Sequence, residues 1–217
     1  MGRSNMPDSL QLMHGAQFAK EYVSDYLESD IPTRCNRYRN GWQLSDTQLP
    51  TPERFFTFEP LALDTWPTII TVVISTSSFS RDSYDGYDPL YRVTYQMRTY
   101  VWCRGLGSEE ATIARDRLTT VVRSALLDYP CLQATDPRQT FQAKIEESTI
   151  REEFSDTTLL KGDRVMAGSY IGYEMSINEI VTRADIFQPT SQNPTDISLE
   201  VLQQGVTDTN LSTANWS

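Results

Sequence analysis

A single histidine, His14, among 217 residues leaves little room for histidine chemistry, because a Ser–His or Cys–His mechanism would have to run through that one side chain. An imidazole metal centre lacks partners for the same reason. The three cysteines, Cys35, Cys103 and Cys131, are odd in number and far apart. Without a CxxC pair they offer neither a zinc knuckle nor a thioredoxin-type motif, and they read as reduced thiols. No apolar run approaches the ~18 residues that a membrane-spanning helix needs. The opening residues, MGRSNMPDSL, lack the apolar centre of a secretion signal, so none is expected. Positive charge is also scarce: 19 basic residues face 29 acidic ones, for a net charge of −10. A free-standing nucleic-acid binder usually has the opposite balance, since phosphate neutralisation supplies most of its affinity.

Motifs for nucleotide and acyl chemistry are missing too. There is no GxxxxGK[ST] loop, and "GLG" at Gly105 is too short for a dinucleotide fingerprint. "GSYIG" at Gly168 sets its serine in the wrong place for a nucleophile elbow. Glu146–Glu147 and Glu152–Glu153 are adjacent pairs, and adjacent strand residues point to opposite faces, so neither pair converges on one substrate atom. The expectation is a protein without catalytic residues, metal or cofactor.

What is present is secondary-structure rhythm. From Pro7, "PDSLQLMHGAQFAKEYVSDYLES" predicts a helix, with Leu12, Ala16, Ala19, Val23, Tyr26 and Leu27 near one stripe. Residues 31–66 hold four prolines and predict an irregular connector, with a short strand at "RFFTFEP". Arg34, Arg37 and Arg39 with Tyr38 and Trp42 form a local cationic-aromatic cluster, suited to a protein partner ahead of a nucleic-acid base. "TIITVVIST" from Thr68 is a β-branched run, expected to be a strand buried on both faces. Asp82, Asp85 and Asp88 follow in a polar loop; their spacing of three is not that of a calcium-binding EF-hand.

The stretch "YRVTYQMRTYVWCRGLGSEEATIARDRLTTVV" changes period halfway. Tyr91, Val93, Tyr95, Met97, Val101 and Cys103, with Thr99, form one face of a long strand; Arg92, Arg98, Tyr100, Trp102 and Arg104 share the other. At about 45 Å such a strand outruns a common sheet, so part of it should project or meet another chain. "GLGS" breaks it, Ser108 is expected to cap a helix, and Ala111, Ala114, Leu118, Val121, Val122 and Ala125 form the buried stripe, with Arg115 among the residues on other sides. Further strands are expected at "TFQAKIEESTIRE" and "SYIGYEMSINEIV". The fold class is therefore α+β: a mainly antiparallel twisted sheet of long strands flanked by two principal helices, over residues 1–184. After Arg183 no basic residue occurs, and Asp185, Asp196, Glu200 and Asp208 make residues 185–217 a polar, acidic C-terminal arm. Within it Ile197, Leu199 and Val201 stand at strand spacing, expected to dock the arm on a neighbouring subunit.

The order of "GAQFAKEYVSDYL", "WPTIITVVIS", "YRVTYQMRTYVWCRG", "SEEATIARDRLTTVVRSALLDYPCL" and "YIGYEMSINEIVTRAD" resembles the tail terminator proteins of bacteriophages with long, non-contractile tails, over roughly residues 8–184. The resemblance implies a virion protein, assembled in the host cytoplasm. It would form a homohexameric ring at the head-proximal end of the tail tube. Such a ring stops tube polymerisation and offers a docking face to the neck. Its partners would be further copies of itself, the tail tube protein and neck or head–tail connector proteins, with DNA passing through the lumen without specific binding and with no membrane. Arg92, Arg98 and Trp102 are expected at a subunit or tube interface, and the Asp82–Asp88 loop at a ring surface. Another head–tail connector, a stopper or joining ring, is the alternative, and a small hydrolase is a rival of a different class.

Overall fold

The computed structural model describes residues 15–60, 63–81, 90–129, 131–133, 140–155, 159–161 and 164–180, all within the first of the chain's two units, Met1–Val181. The order of elements is α1 (Gly15–Trp42), β1 (Arg54–Phe56), β2 (Thr68–Arg81), β3 (Leu90–Gly105), α2 (Ser108–Leu127), β4 (Ala143–Phe154), β5 (Leu159–Lys161) and β6 (Arg164–Ile180). The sheet runs β1-β2-β3-β6-β4, with β5 also paired to β6. Among the described residues only β1–β2 is parallel, and the other strand pairings are antiparallel. This is the expected α+β class.

Helix α1 buries Ala19, Val23, Leu27, Ile31 and Cys35, every fourth residue, on one stripe. That stripe continues past Pro32, and so does the helix. Residues 31–42, expected to be an irregular connector, are helical. An interior proline costs about 3 kcal/mol. Burial of Ile31 and Cys35 opposes that cost, each fully buried aliphatic side chain contributing about 2 kcal/mol. The helix ends because Gln43 turns left-handed at φ 54°, which lets the Leu44 N–H donate to the Arg39 carbonyl at 3.0 Å.

The cationic-aromatic cluster at the end of α1 proves to be an internal fastening. Arg34 donates to Asp30 and to Asp128, each at 2.6 Å, and to Ser124, tying α1 to α2. Arg39 donates to the Leu49 carbonyl and to Thr51, tying α1 to the segment that follows it. Tyr38 and Trp42 pack edge to face. Arg34 and Arg39 are taken up by these bonds, while Arg37 and Trp42 of the cluster are exposed.

On β3 the odd-numbered residues from Val93 to Gly105 are buried, as the alternation predicts. They meet α1 and α2, both of which contribute to the single core along with Ile171, Tyr173, Met175 and Ile177 of β6. The core also holds polar pairs that satisfy one another: Thr71 with Thr99 at 3.2 Å, Thr99 with Tyr173 at 3.1 Å, and Thr119 with Ser169 at 2.6 Å. Tyr95 donates to Glu179 at 2.6 Å, beside the N-terminal turn of α1.

Three local expectations are corrected. β2 is buried only over its first four residues, Thr68–Thr71, and is exposed from Ile74 onward, because it outruns both β1 and the helices. Gly107, not Ser108, is the N-cap of α2 and makes no side-chain capping bond; the Glu110 carboxylate accepts from the Leu106 N–H instead. Arg115 is buried at 5% exposure, because it sits one turn from Ala111 and beside Ala114 on the edge of the core stripe, where two backbone carbonyls await its donors. The six residues expected on that stripe are all buried.

Burial raises the pKa values of several groups, making them weaker acids. It pushes the Cys35 thiol up to about 11 and moves Cys103, Tyr129 and Tyr173 upward as well; Tyr95 rises through burial and then through its bond to Glu179. An acid whose folded pKa lies above its unfolded value contributes stability at low pH and loses it as pH rises through the folded value. Denaturant melts should therefore fall from about pH 9 upward, where the unfolded thiols of Cys35 and Cys103 ionise and the buried ones do not. A thiol-reagent titration at neutral pH should find exposed Cys131 fast and buried Cys35 and Cys103 slow. Three equally fast thiols would contradict this packing. Among the described residues no helix is long and apolar enough to cross a membrane.

Candidate functional site

The helices cover one face of the sheet, and among the described residues no helix packs on the other. That face, bare of helix, is built from the even-numbered residues of β3 and β6 and their cross-strand partners, because paired residues project to the same side; it is closed at Thr68, Ile70, Thr94, Met166 and Ser176, which are buried. Three of the residues expected at an interface, Arg92, Arg98 and Trp102, all stand on it. They do not form one cluster: at roughly 3.3 Å per residue, Arg92 and Trp102 are about 33 Å apart along β3.

Each of the three has a distinct local role. Arg92 lies 5.1 Å from the centre of the Phe141 ring, at one end of the face. Arg98 lies 4.5 Å over the Tyr170 ring, within cation–π range, and donates to the Tyr100 hydroxyl. Tyr100 and Tyr170 have ring centres 5.6 Å apart. Tyr170 is hydrogen-bonded to Glu153, the main reason its hydroxyl is harder to ionise. Trp102 lies flat against Gly168: a Cβ placed there would stand 2.7 Å from the indole ring. Only glycine allows this approach.

A shallow cavity of about 390 Å³ opens on the same face, lined among others by Gln96, Arg98, Arg151, Glu153, Tyr170 and Glu174. It forms where β4 bulges between Glu146 and Arg151. Thr149 bridges that bulge, donating to the Glu146 carbonyl and accepting from the Glu174 N–H. The cavity lining has no histidine or cysteine, and among the described residues no three His, Cys, Asp or Glu side chains are grouped to hold a metal.

The signs of the charges are not evenly spread. At paired positions the bare face carries Arg54, Arg92, Arg98, Arg104, Lys144, Arg151 and Arg164 against Glu146, Glu153 and Glu174. It is therefore net basic within a chain of net charge −10. Sequence reading placed Arg92, Arg98 and Arg104 together through β3 alternation, but missed Arg151 and Tyr170, which join them only through the β4–β6–β3 pairing. Glu152 and Glu153 do diverge as expected: Arg123 of α2 donates to Glu152 on the covered face at 2.7 Å, while Glu153 stands on the bare one.

The second candidate feature is an edge. β1 pairs only with Thr68–Ile70, so the outer edge of β2 has no strand partner from Thr71 to Arg81 among the described residues. Ile74 and Phe79 on this segment are 45% and 61% exposed, with Phe79 stacked on Tyr91 at 4.8 Å. Asp82, Asp85 and Asp88, and Ile197, Leu199 and Val201 of the C-terminal arm, lie outside the described residues. No protein-family model matches the chain, and no curated protein matches it.

Proposed function

We propose that the chain is a structural subunit of a phage tail terminator: a ring at the head-proximal end of the tail tube that ends polymerisation and offers the neck its docking face. The observation that carries the reading is the open edge of β2. A long edge with exposed Ile74 and Phe79, and no lysine or proline between Thr71 and Ser80, lacks two of the usual devices that discourage strand addition, although β2 shifts register at Val73/Ser75 and Thr76/Ser78. Pairing with a further copy satisfies it.

Strand directions support ring closure. Three antiparallel steps separate β2 from β4, so the two edge strands run oppositely. Copies repeated around an axis parallel to the strands therefore bring β4 of one beside β2 of the next as an antiparallel pair. Such a head-to-tail contact closes into a ring when the rotation per copy divides a full turn. The resemblance in residues 8–184 supplies the number six and the tube and neck as partners. A stopper of pure shape also needs no catalytic group.

Lysine at both Ile74 and Phe79 tests the edge. Both side chains are already exposed, so the fold should keep its melting temperature within about 2 °C. Assembly should fall to the single chain in native mass spectrometry. A double variant with the same assembly mass as the wild type would exclude this edge. Function itself is tested by adding the protein to polymerising tube protein: tubes should stop lengthening, whereas a stopper or joining ring would leave their length unchanged.

A further inference from the structure

We infer that the bare face of the sheet is a contact surface for the sugar–phosphate backbone of duplex DNA. The inference goes beyond the ring reading and does not need it, since one chain carries the whole face. What carries it is the separation of charge. On α1 and α2 acidic and basic residues balance, while the sheet's bare face has the basic surplus of an otherwise acidic chain. Arg98 and Arg104 stand six residues apart along one strand, about 20 Å, and Arg151 lies across from Gly172 beside Arg98; Arg92 marks the closed end of the face, its Nε buried near Thr94 and Ser176. A row of separated guanidiniums on a broad sheet suits phosphates, which lie along a backbone and carry no sequence information.

Duplex is favoured over single strands because the rings are already occupied. Stacking of splayed bases needs open aromatic faces. Here Tyr170 is covered by Arg98 and leans on Tyr100, while Trp102 has one side against Gly168. Nor does any helix or ribbon project from the described part of this face to enter a groove. Glu146, Glu153 and Glu174 stand among the arginines and limit the attraction. The outcome is a weak, sequence-independent, salt-sensitive contact, of the kind that lets DNA move across a surface.

The test is fluorescence anisotropy of a short mixed-sequence duplex with the full chain, at about 50 mM and about 200 mM salt. With about three phosphates contacted, affinity should fall about 40-fold between the two. Arg104→Glu with Arg151→Glu, both exposed, should weaken binding at the lower salt by at least about tenfold and flatten the salt slope. Arg37→Glu on α1, also exposed, should change neither. Circular dichroism melts of the variants show whether folding is intact, and native mass reports assembly separately. A monomeric wild type that binds duplex would sink the ring and leave this inference standing. No duplex binding at the lower salt, equal loss from Arg37→Glu, tighter binding of single strands, or equal binding of poly-glutamate would each overturn it.

Discussion

Replacing Arg115 with methionine should measurably destabilise the chain. The Arg115 guanidinium is buried, donates to the carbonyls of Ser155 at 2.8 Å and Gly168 at 3.2 Å, and pairs with Asp116 at 2.7 Å. It thereby ties α2 to the end of β4 and the first part of β6, with Phe154 beneath it. Methionine keeps much of the volume but leaves the Ser155 carbonyl and the Asp116 carboxylate without this donor. The Gly168 carbonyl keeps the Ser155 N–H. A buried acceptor stripped of its partner costs about 1–3 kcal/mol; with Ser155 exposed and Asp116 half-exposed, a total of about 1–2 kcal/mol is expected. For a domain of this size that is a drop of about 2–8 °C in melting temperature. Lysine at the same position should recover part of it, since one ammonium can reach one of the carbonyls but cannot span both. A methionine variant that melts with the wild type would mean that the guanidinium is not the fastening described here.

The second large effect is expected at Gly168. An added methyl group would meet the Trp102 ring at 2.7–2.9 Å, closer than carbon atoms tolerate, and the obstacle is a rigid indole, not the end of a flexible chain. Gly168→Ala should cost about 1–3 kcal/mol as the ring is forced from the sheet. Truncating Trp102 as well should relieve most of that collision, so the two changes should be strongly non-additive in a double-mutant cycle. Additive losses would place the ring elsewhere. The Trp102 fluorescence environment should change in Gly168→Ala even where the protein remains folded. Because Trp102 sits on the bare face, the same variant also tests whether that face must be flat to function.

Much of this architecture was legible in period alone. The odd–even division of β3 and the α2 stripe follow from sterics that any strand or helix obeys, and Val93, Met97, Leu118 and Val122 fall where their spacing puts them. Pro32 hid the second half of α1, because a proline is read as a stop while the packing of Ile31 and Cys35 is not visible until α1 meets the rest of the core. Arg115 was misplaced because residue type is a poor guide to burial when backbone carbonyls are waiting for a donor. The bare face was half legible. Arg92, Arg98 and Trp102 share a strand, whereas Arg151 and Tyr170 reach them through pairings between distant segments and a bulge held by Thr149, none of which a period reports. Overall charge is silent on distribution: a count of −10 says nothing of where a basic surplus is gathered.

The claim on which the functional reading rests is that the open β2 edge is completed by further copies of the chain. Native mass spectrometry of the full-length protein measures this directly. A hexameric ring predicts a dominant species at six times the 24.8 kDa of one chain, persisting on dilution and lost when Ile74 and Phe79 become lysine. A single-chain mass at every concentration would contradict it.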